Sequence, residues 1–258
     1  MLAKGALRLV AALAAYGGVT YAATAQTLVE QSAELRMQLD LVVTPAALQA
    51  LLPSGWEPFV ATSGAAKDCN IRMIFVDRVD ITAPDGAPVG TNQFVYLASP
   101  IKKSGSNEMA GQMVVDGITA DAKDTPGPLG VYQAASAFKV ERSTHATAGG
   151  PILNDETWSF TGANGEHMEL HVAYERGVAR KIAAETKFFS AGKPDTYQIW
   201  KIEQGLDIMR NATVPVKDRV KQIELKASGG KVGTLFDGKE RIVSVDALHW
   251  YNRGVYQP

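Results

Sequence analysis

His167, Glu169 and His171 stand at alternate positions in HMELHVAYE. Side chains on a strand repeat every two residues, so these three share one face. Two imidazoles with a carboxylate are a ligand set for a divalent metal. Met168, Leu170 and Val172 make the other face apolar, however, so the His/Glu/His face reads more simply as the solvated one, and no metal is expected. Nucleophilic chemistry has little to draw on. The one cysteine, Cys69, precedes the run NIRMIF with no histidine beside it, which fits a small buried hydrophobe. No Gly-x-Ser-x-Gly elbow, P-loop or dinucleotide fingerprint occurs, so neither serine acylation nor a cofactor is expected. What remains are polar residues scattered among aromatics: Arg72, Glu108, Gln112 and Tyr132, with Phe75, Phe94, Tyr96 and Trp200 on neighbouring segments. If the strands close around an unfilled interior, such residues would line a cavity for a small apolar or aromatic molecule.

The elements that must position these residues are mostly strands. LRMQLDLVV (35–43) alternates Leu35, Met37, Leu39 and Leu41 with Arg36, Gln38 and Asp40, the pattern of a half-buried strand. Similar patterns run through 71–81, 92–99, 111–120, 137–145, 156–162, 167–175, 184–190, 196–203, 220–228 and 241–251. About eleven such segments predict a mainly antiparallel β architecture. The stretches APDGAPVG, GANGE and FDGKE carry Asp-Gly or Asn-Gly, the dipeptides of tight hairpins. In TPAALQALLP (44–53), Thr44 suits an N-cap, Pro45 the first helical position, and Leu48, Leu51 and Leu52 one buried face, with Pro53 ending the helix. A second helix is expected over 127–137, and 206–212 reads equally as helix or strand.

MQLDLVVTPAALQALLPSGWEP, the strand IRMIFVDRVDI, the strand NQFVYLAS and the loop DAKDTPGPLGVYQAA together resemble the opening arrangement of the acetoacetate decarboxylase-like superfamily. The resemblance implies a mainly β (α+β) fold, a curled antiparallel sheet or cone-shaped β-barrel with a few flanking helices around an apolar pocket. It also implies a lysine whose amine is kept neutral by burial and a cationic neighbour, ready to form a Schiff base with a β-keto acid. An arginine on the first strand and a glutamate on a later one would place and protonate the substrate. This chain departs from that pattern. Its loop reads Gly130-Val131-Tyr132-Gln133, with Gln133 where the lysine is wanted, and glutamine cannot form an imine. Lys123 is the nearest substitute, but Asp121 and Asp124 beside it favour the charged ammonium. Arg36 is the strand arginine, although it opposes the leucine face, so a rim or exposed position is equally open.

Composition narrows the rest. The chain has 258 residues, 46% of them hydrophobic and 21% charged, with a net charge of -1; this suits a substantial core and gives nucleic acid no basic surface. Lys4 and Arg8, an apolar run to Ala25 and the Ala23-Thr24-Ala25 triplet predict a signal peptide over 1–25, followed by one domain over 26–258. The apolar run is short and diluted for a bilayer span, so no stable membrane span is expected after cleavage. Cleavage takes Lys4 and Arg8 from the 26 basic residues, leaving 24 against 27 acidic ones, a net charge of -3. The expectation is therefore a periplasmic or secreted protein, with a homo-oligomer left open, that binds a small apolar or aromatic oxo acid. Catalysis would be lyase-like, with Arg36 or Arg72 holding a carboxylate, Glu108 or Tyr132 moving a proton, and Lys123 as the substitute amine. Phe75, Phe94, Tyr96, Gln112 and Gln133 would contact the ligand. The alternative is a non-catalytic carrier using the same cavity.

Overall fold

A computed structural model describes residues 26–258; the signal segment expected over 1–25 lies outside the described residues. The first strand, β1 (Thr27–Val42), shows why the alternation matters. Met37, Leu39 and Leu41 are fully buried, and so, nearly, are Glu34, Arg36 and Asp40 on the opposite face. A strand buried on both faces with charges along one of them needs partners for those charges, and the topology supplies an interior that holds them.

That interior is made by β1 with β3 (Ile71–Thr82), β4 (Pro88–Lys103), β5 (Gly111–Thr119), β9 (Arg180–Ser190), β10 (Lys193–Asn211) and β12 (Arg241–Gln257). The pairings run β5–β9–β10–β12–β1–β3–β4 and return to β5, so the sheet curls into a closed circuit around a lumen. The short β2 (Trp56–Pro58) extends it beyond β4. Strands β6 (Tyr132–His145), β7 (Leu153–Gly162), β8 (His167–Glu175) and β11 (Val220–Ser228) form an antiparallel flank joined to β5 through Gly117–Tyr132, Ile118–Gln133 and Thr119–Ala134. Pairing is antiparallel except at β5, which meets both β6 and β9 in parallel.

The leucine face of β1 points away from the lumen and into the layer between curled sheet and flank. There Met37, Leu39, Phe75 and Leu97 share a core with Trp158, Phe160, Met168 and Leu170, each contributing about 1.5–3 kcal/mol by burial. The face that carries the polar residues is the inner one.

All eleven expected strands form. The helix expected over 44–53 is shorter, α1 (Pro45–Gln49), and the Thr44 side chain makes no capping bond, its carbonyl accepting the Leu48 N–H instead at 3.1 Å. The helix expected over 127–137 is absent because Gly127 and Gly130 take φ of 68°, a left-handed turn that α-helix cannot use, and β6 begins at Tyr132. Residues 206–211 belong to β10. APDGAPVG and GANGE close the β3–β4 and β7–β8 hairpins, whereas FDGKE links α2 (Gly230–Leu235) to β12. That second helix is hidden in the sequence by its glycines. Among the described residues no helix is long and apolar enough to cross a membrane.

Candidate functional site

Charged side chains meet at the middle of the lumen. Glu34 accepts from Arg36 Nε at 2.6 Å and from Ser32 Oγ at 2.6 Å, and lies 3.0 Å from Arg253 Nη2. Glu30 pairs with Arg78 and lies 3.3 Å from Arg253. Burial alone would raise the pKa of Glu34, but Arg253, Arg36 and Arg78 override it and hold the carboxylate at about 2. Three guanidinium groups thus face two carboxylates at contact range. Arg78 is 6% exposed, yet its Nε has no hydrogen-bond acceptor, the Glu34 oxygen being 3.8 Å away.

Aromatic rings complete this partition and divide the lumen in two. The Arg36 guanidinium lies 3.5 Å from the Tyr251 ring centre and donates to Tyr96 Oη at 3.2 Å. Arg253 lies 4.2 Å from the Trp200 ring, which stacks on Phe188 with centroids 3.6 Å apart. On one side is an aromatic chamber of about 150 Å³ whose lining includes Phe94, Leu129, Tyr132 and Trp200 together with Arg78, Arg253, Glu30, Asn92 and Asp124. Tyr132 fits there because β5 has a glycine beneath it: a Cβ on Gly117 would come within 2.5 Å of the tyrosine ring.

On the other side is a polar chamber of about 250 Å³ lined by Arg36, Asp40, Arg72, Gln112, Asp246 and Tyr251 among others. Asp40 and Arg72 face each other across β1 and β3, with Arg72 Nε 3.1 Å from Asp40 Oδ1. Asp246 sits on the neighbouring β12, diagonal to Asp40. Burial, and then repulsion from Asp40, pushes its pKa up to about 8. A charged group here costs more than a neutral one, so the carboxyl keeps its proton at neutral pH.

Of the residues singled out from the sequence, the structure brings Arg36, Arg72, Phe94, Tyr96, Gln112 and Tyr132 together in the lumen. The others lie elsewhere. Phe75 is on the outer face of β3 and packs on Trp158 and Phe160, since odd positions of that strand face the flank. Gln133 follows Tyr132 by one residue and therefore points the opposite way, where its amide bonds Glu166 and the Asn164 N–H. Glu108 is exposed between β4 and β5, and Lys123 is exposed in a single 3-10 turn (Ala122–Asp124). No lysine lines either chamber among the described residues.

His167, Glu169 and His171 are engaged with Thr161, Lys226 and Asp155 respectively, and no cluster of metal ligands occurs among the described residues. Cys69 is buried, which pushes its thiol up to about 12. Sequence reasoning missed Glu34, Asp40, Arg78, Asp246 and Arg253, while Trp200, expected to line a cavity, does so. Their signal is present in part: Ser244 and Asp246 interrupt an apolar run on β12, as Arg36 and Asp40 do on β1.

No family model matches the chain, and no curated protein matches it. Solved structures similar in chain trace include the enduracididine biosynthesis enzyme MppR, complexed with the condensation product of pyruvate and imidazole 4-carboxaldehyde, at 13% identity and TM-score 0.47 over 92% of this chain and 90% of that one. An acetoacetate decarboxylase is similar at 11% identity and TM-score 0.48, over 89% and 87%. An acetoacetate decarboxylase-like enzyme from Sphingomonas wittichii RW1 is similar at 11% identity and TM-score 0.49, over 89% and 91%.

Proposed function

We propose that this chain is an exported protein that binds a small apolar or aromatic oxo acid in the lumen of its curled sheet. The observation that carries this reading is Arg78. Its Nε is buried without an acceptor, on a residue that lines a chamber walled by Phe94, Tyr132 and Trp200. A buried donor without a partner costs about 1–3 kcal/mol, and a ligand carboxylate would satisfy it. A cavity of roughly 150 Å³ accepts a benzene-sized ring, and phenylglyoxylate, which carries an oxo acid group on such a ring, is the probe. Glu30 is committed to Arg78 and Arg253, and Asp124 accepts from Asn92 Nδ2 at 2.6 Å.

Carbon–carbon cleavage through an imine has no amine to use in either chamber, so the reading supported best is binding, with cleavage a separate outcome. The test is titration of the mature chain with phenylglyoxylate and benzyl alcohol, followed by tryptophan fluorescence. Saturable binding of the acid, weakened at least tenfold by Arg78→Gln and not shared by the alcohol, is the expected result. Absence of binding to any aromatic or branched oxo acid would sink the proposal. Recovery of the acid unchanged after long incubation assigns a carrier, and release of carbon dioxide assigns a lyase. Export is tested separately by the N-terminus of the protein recovered from cells, expected at Gln26; an intact Met1 would overturn it.

A further inference from the structure

The polar chamber has its own chemistry. Asp40 stands opposite Ser244 in the β1–β12 register, and Asp246 stands opposite Gln38. The two carboxyl groups are therefore diagonal neighbours on the lumen face, a placement that sets Cα atoms roughly 7–8 Å apart, and both line the polar chamber. Gln38 Nε2 donates to Asp40 Oδ1 at 3.0 Å, and Arg72 lies against the same oxygen. Asp40 is thus the member of the pair held by a cation.

Ser244 fixes the other. Its Oγ is 2.6 Å from Asp246 Oδ1 and 3.2 Å from the Arg210 carbonyl oxygen. A hydroxyl has one hydrogen, and the carbonyl can only accept. The hydrogen goes to the closer contact, so Ser244 donates to Asp246, which has no cation within 4 Å among the described residues, whereas Asp40 has Arg72. Of two neighbouring buried carboxyls, the one without a cation is the one that keeps a proton. Gln112, almost fully buried in the same chamber, has a side-chain oxygen with no donor. Arg36 and Arg72 supply fixed positive charge within the chamber.

We infer that the polar chamber is a proton-transfer site, in which Asp40 as base and Asp246 as acid enolise a small oxo acid whose carboxylate is held by Arg36 or Arg72. Asp40 takes a proton from the carbon next to the ketone. The C–H electron pair becomes the new C=C bond, the carbonyl π pair moves to oxygen, and that oxygen takes the proton of Asp246. Asp40 is left protonated and Asp246 ionised, and the reverse step restores both without any further reactant. The raised pKa of Asp246 is consistent with its starting in the acid form. This site is separate from the aromatic chamber and stands whether or not Arg78 binds an acid.

The test is exchange of the C3 protons of 2-oxobutanoate for deuterium in D2O, followed by proton NMR. Pyruvate and acetoacetate are run as second probes, and thermal melts confirm that each variant is folded. Positioned acid–base groups contribute roughly 10²–10⁴-fold, so the mature chain is expected to exceed buffer by at least ~100-fold. Asp40→Asn is expected to abolish the excess and Asp246→Asn to remove most of it. Lys123→Ala, on the exposed turn, is expected to leave it unchanged. Exchange at the buffer rate with all three probes would overturn the inference. So would exchange that survives in folded Asp40→Asn, or that disappears in Lys123→Ala.

Discussion

Ser244 and Asp246 lie two residues apart on β12, and the serine oxygen sits 2.6 Å from the aspartate with a backbone carbonyl behind it. The hydroxyl donates to a buried carboxyl that has no cation within 4 Å among the described residues.

Asp246 makes stability depend on pH in an unusual direction. Its folded pKa, about 8, lies above the 3.8 of an unperturbed aspartate, so between those values the folded chain holds a proton that the unfolded chain has lost. Stability therefore falls as pH rises from about 4 to 8. Asp246→Asn is expected to remove this fall and to gain about 1–3 kcal/mol over the wild type at pH 8, checked by urea unfolding at pH 5 and pH 8.

Glu34 works in the opposite sense. With its pKa held at about 2 against an ordinary 4.5, its contribution is present above pH 4.5 and is lost as pH falls toward 2. Glu34→Gln leaves Arg36, Arg78 and Arg253 facing Glu30 alone and is expected to cost about 3–5 kcal/mol at pH 7. Chemical denaturation measures this, and a loss below 1 kcal/mol would show that the arginines repel one another less than their burial implies.

Gly117 makes the space that Tyr132 occupies. Gly117→Ala places a methyl group against the tyrosine ring and is expected to destabilise by about 1–3 kcal/mol while pushing the ring into the aromatic chamber. Pairing it with Tyr132→Ala should recover part of that loss. A double-mutant cycle in thermal unfolding detects the coupling, and strict additivity would contradict the contact.

Phe75 separates the two faces of β3. Phe75→Ala opens a cavity between curled sheet and flank and is expected to cost about 3–5 kcal/mol with little change in ligand affinity. Ile74→Ala, one residue away in the polar chamber, is expected to change 2-oxobutanoate exchange. Measuring unfolding and exchange on both variants tests whether adjacent residues serve different compartments.

The sequence by itself determined the strands, because alternation of apolar and polar residues is a local property read from neighbours two apart. It also determined the β3–β4 and β7–β8 hairpins through their Asp-Gly and Asn-Gly turns, and the departure at Gln133. Which face of each strand would be the inside was decided by tertiary structure. Met37, Leu39 and Leu41 looked like a core face, and they are one, but the flank of β6, β7, β8 and β11 supplies that core from outside the curled sheet. Alternation separates two faces without saying what covers either. Arg36 was therefore open to a rim position, whereas closure of the sheet places it 5% exposed beside Glu34. Arg78 and Arg253 are 175 residues apart in sequence, and only the pairing of β1 with both β3 and β12 brings them onto Glu30. The β1–β12 pairing sets Asp246 beside Asp40, and the curled sheet keeps both buried. Burial and mutual repulsion, neither of them local in sequence, are what make that pair capable of moving a proton.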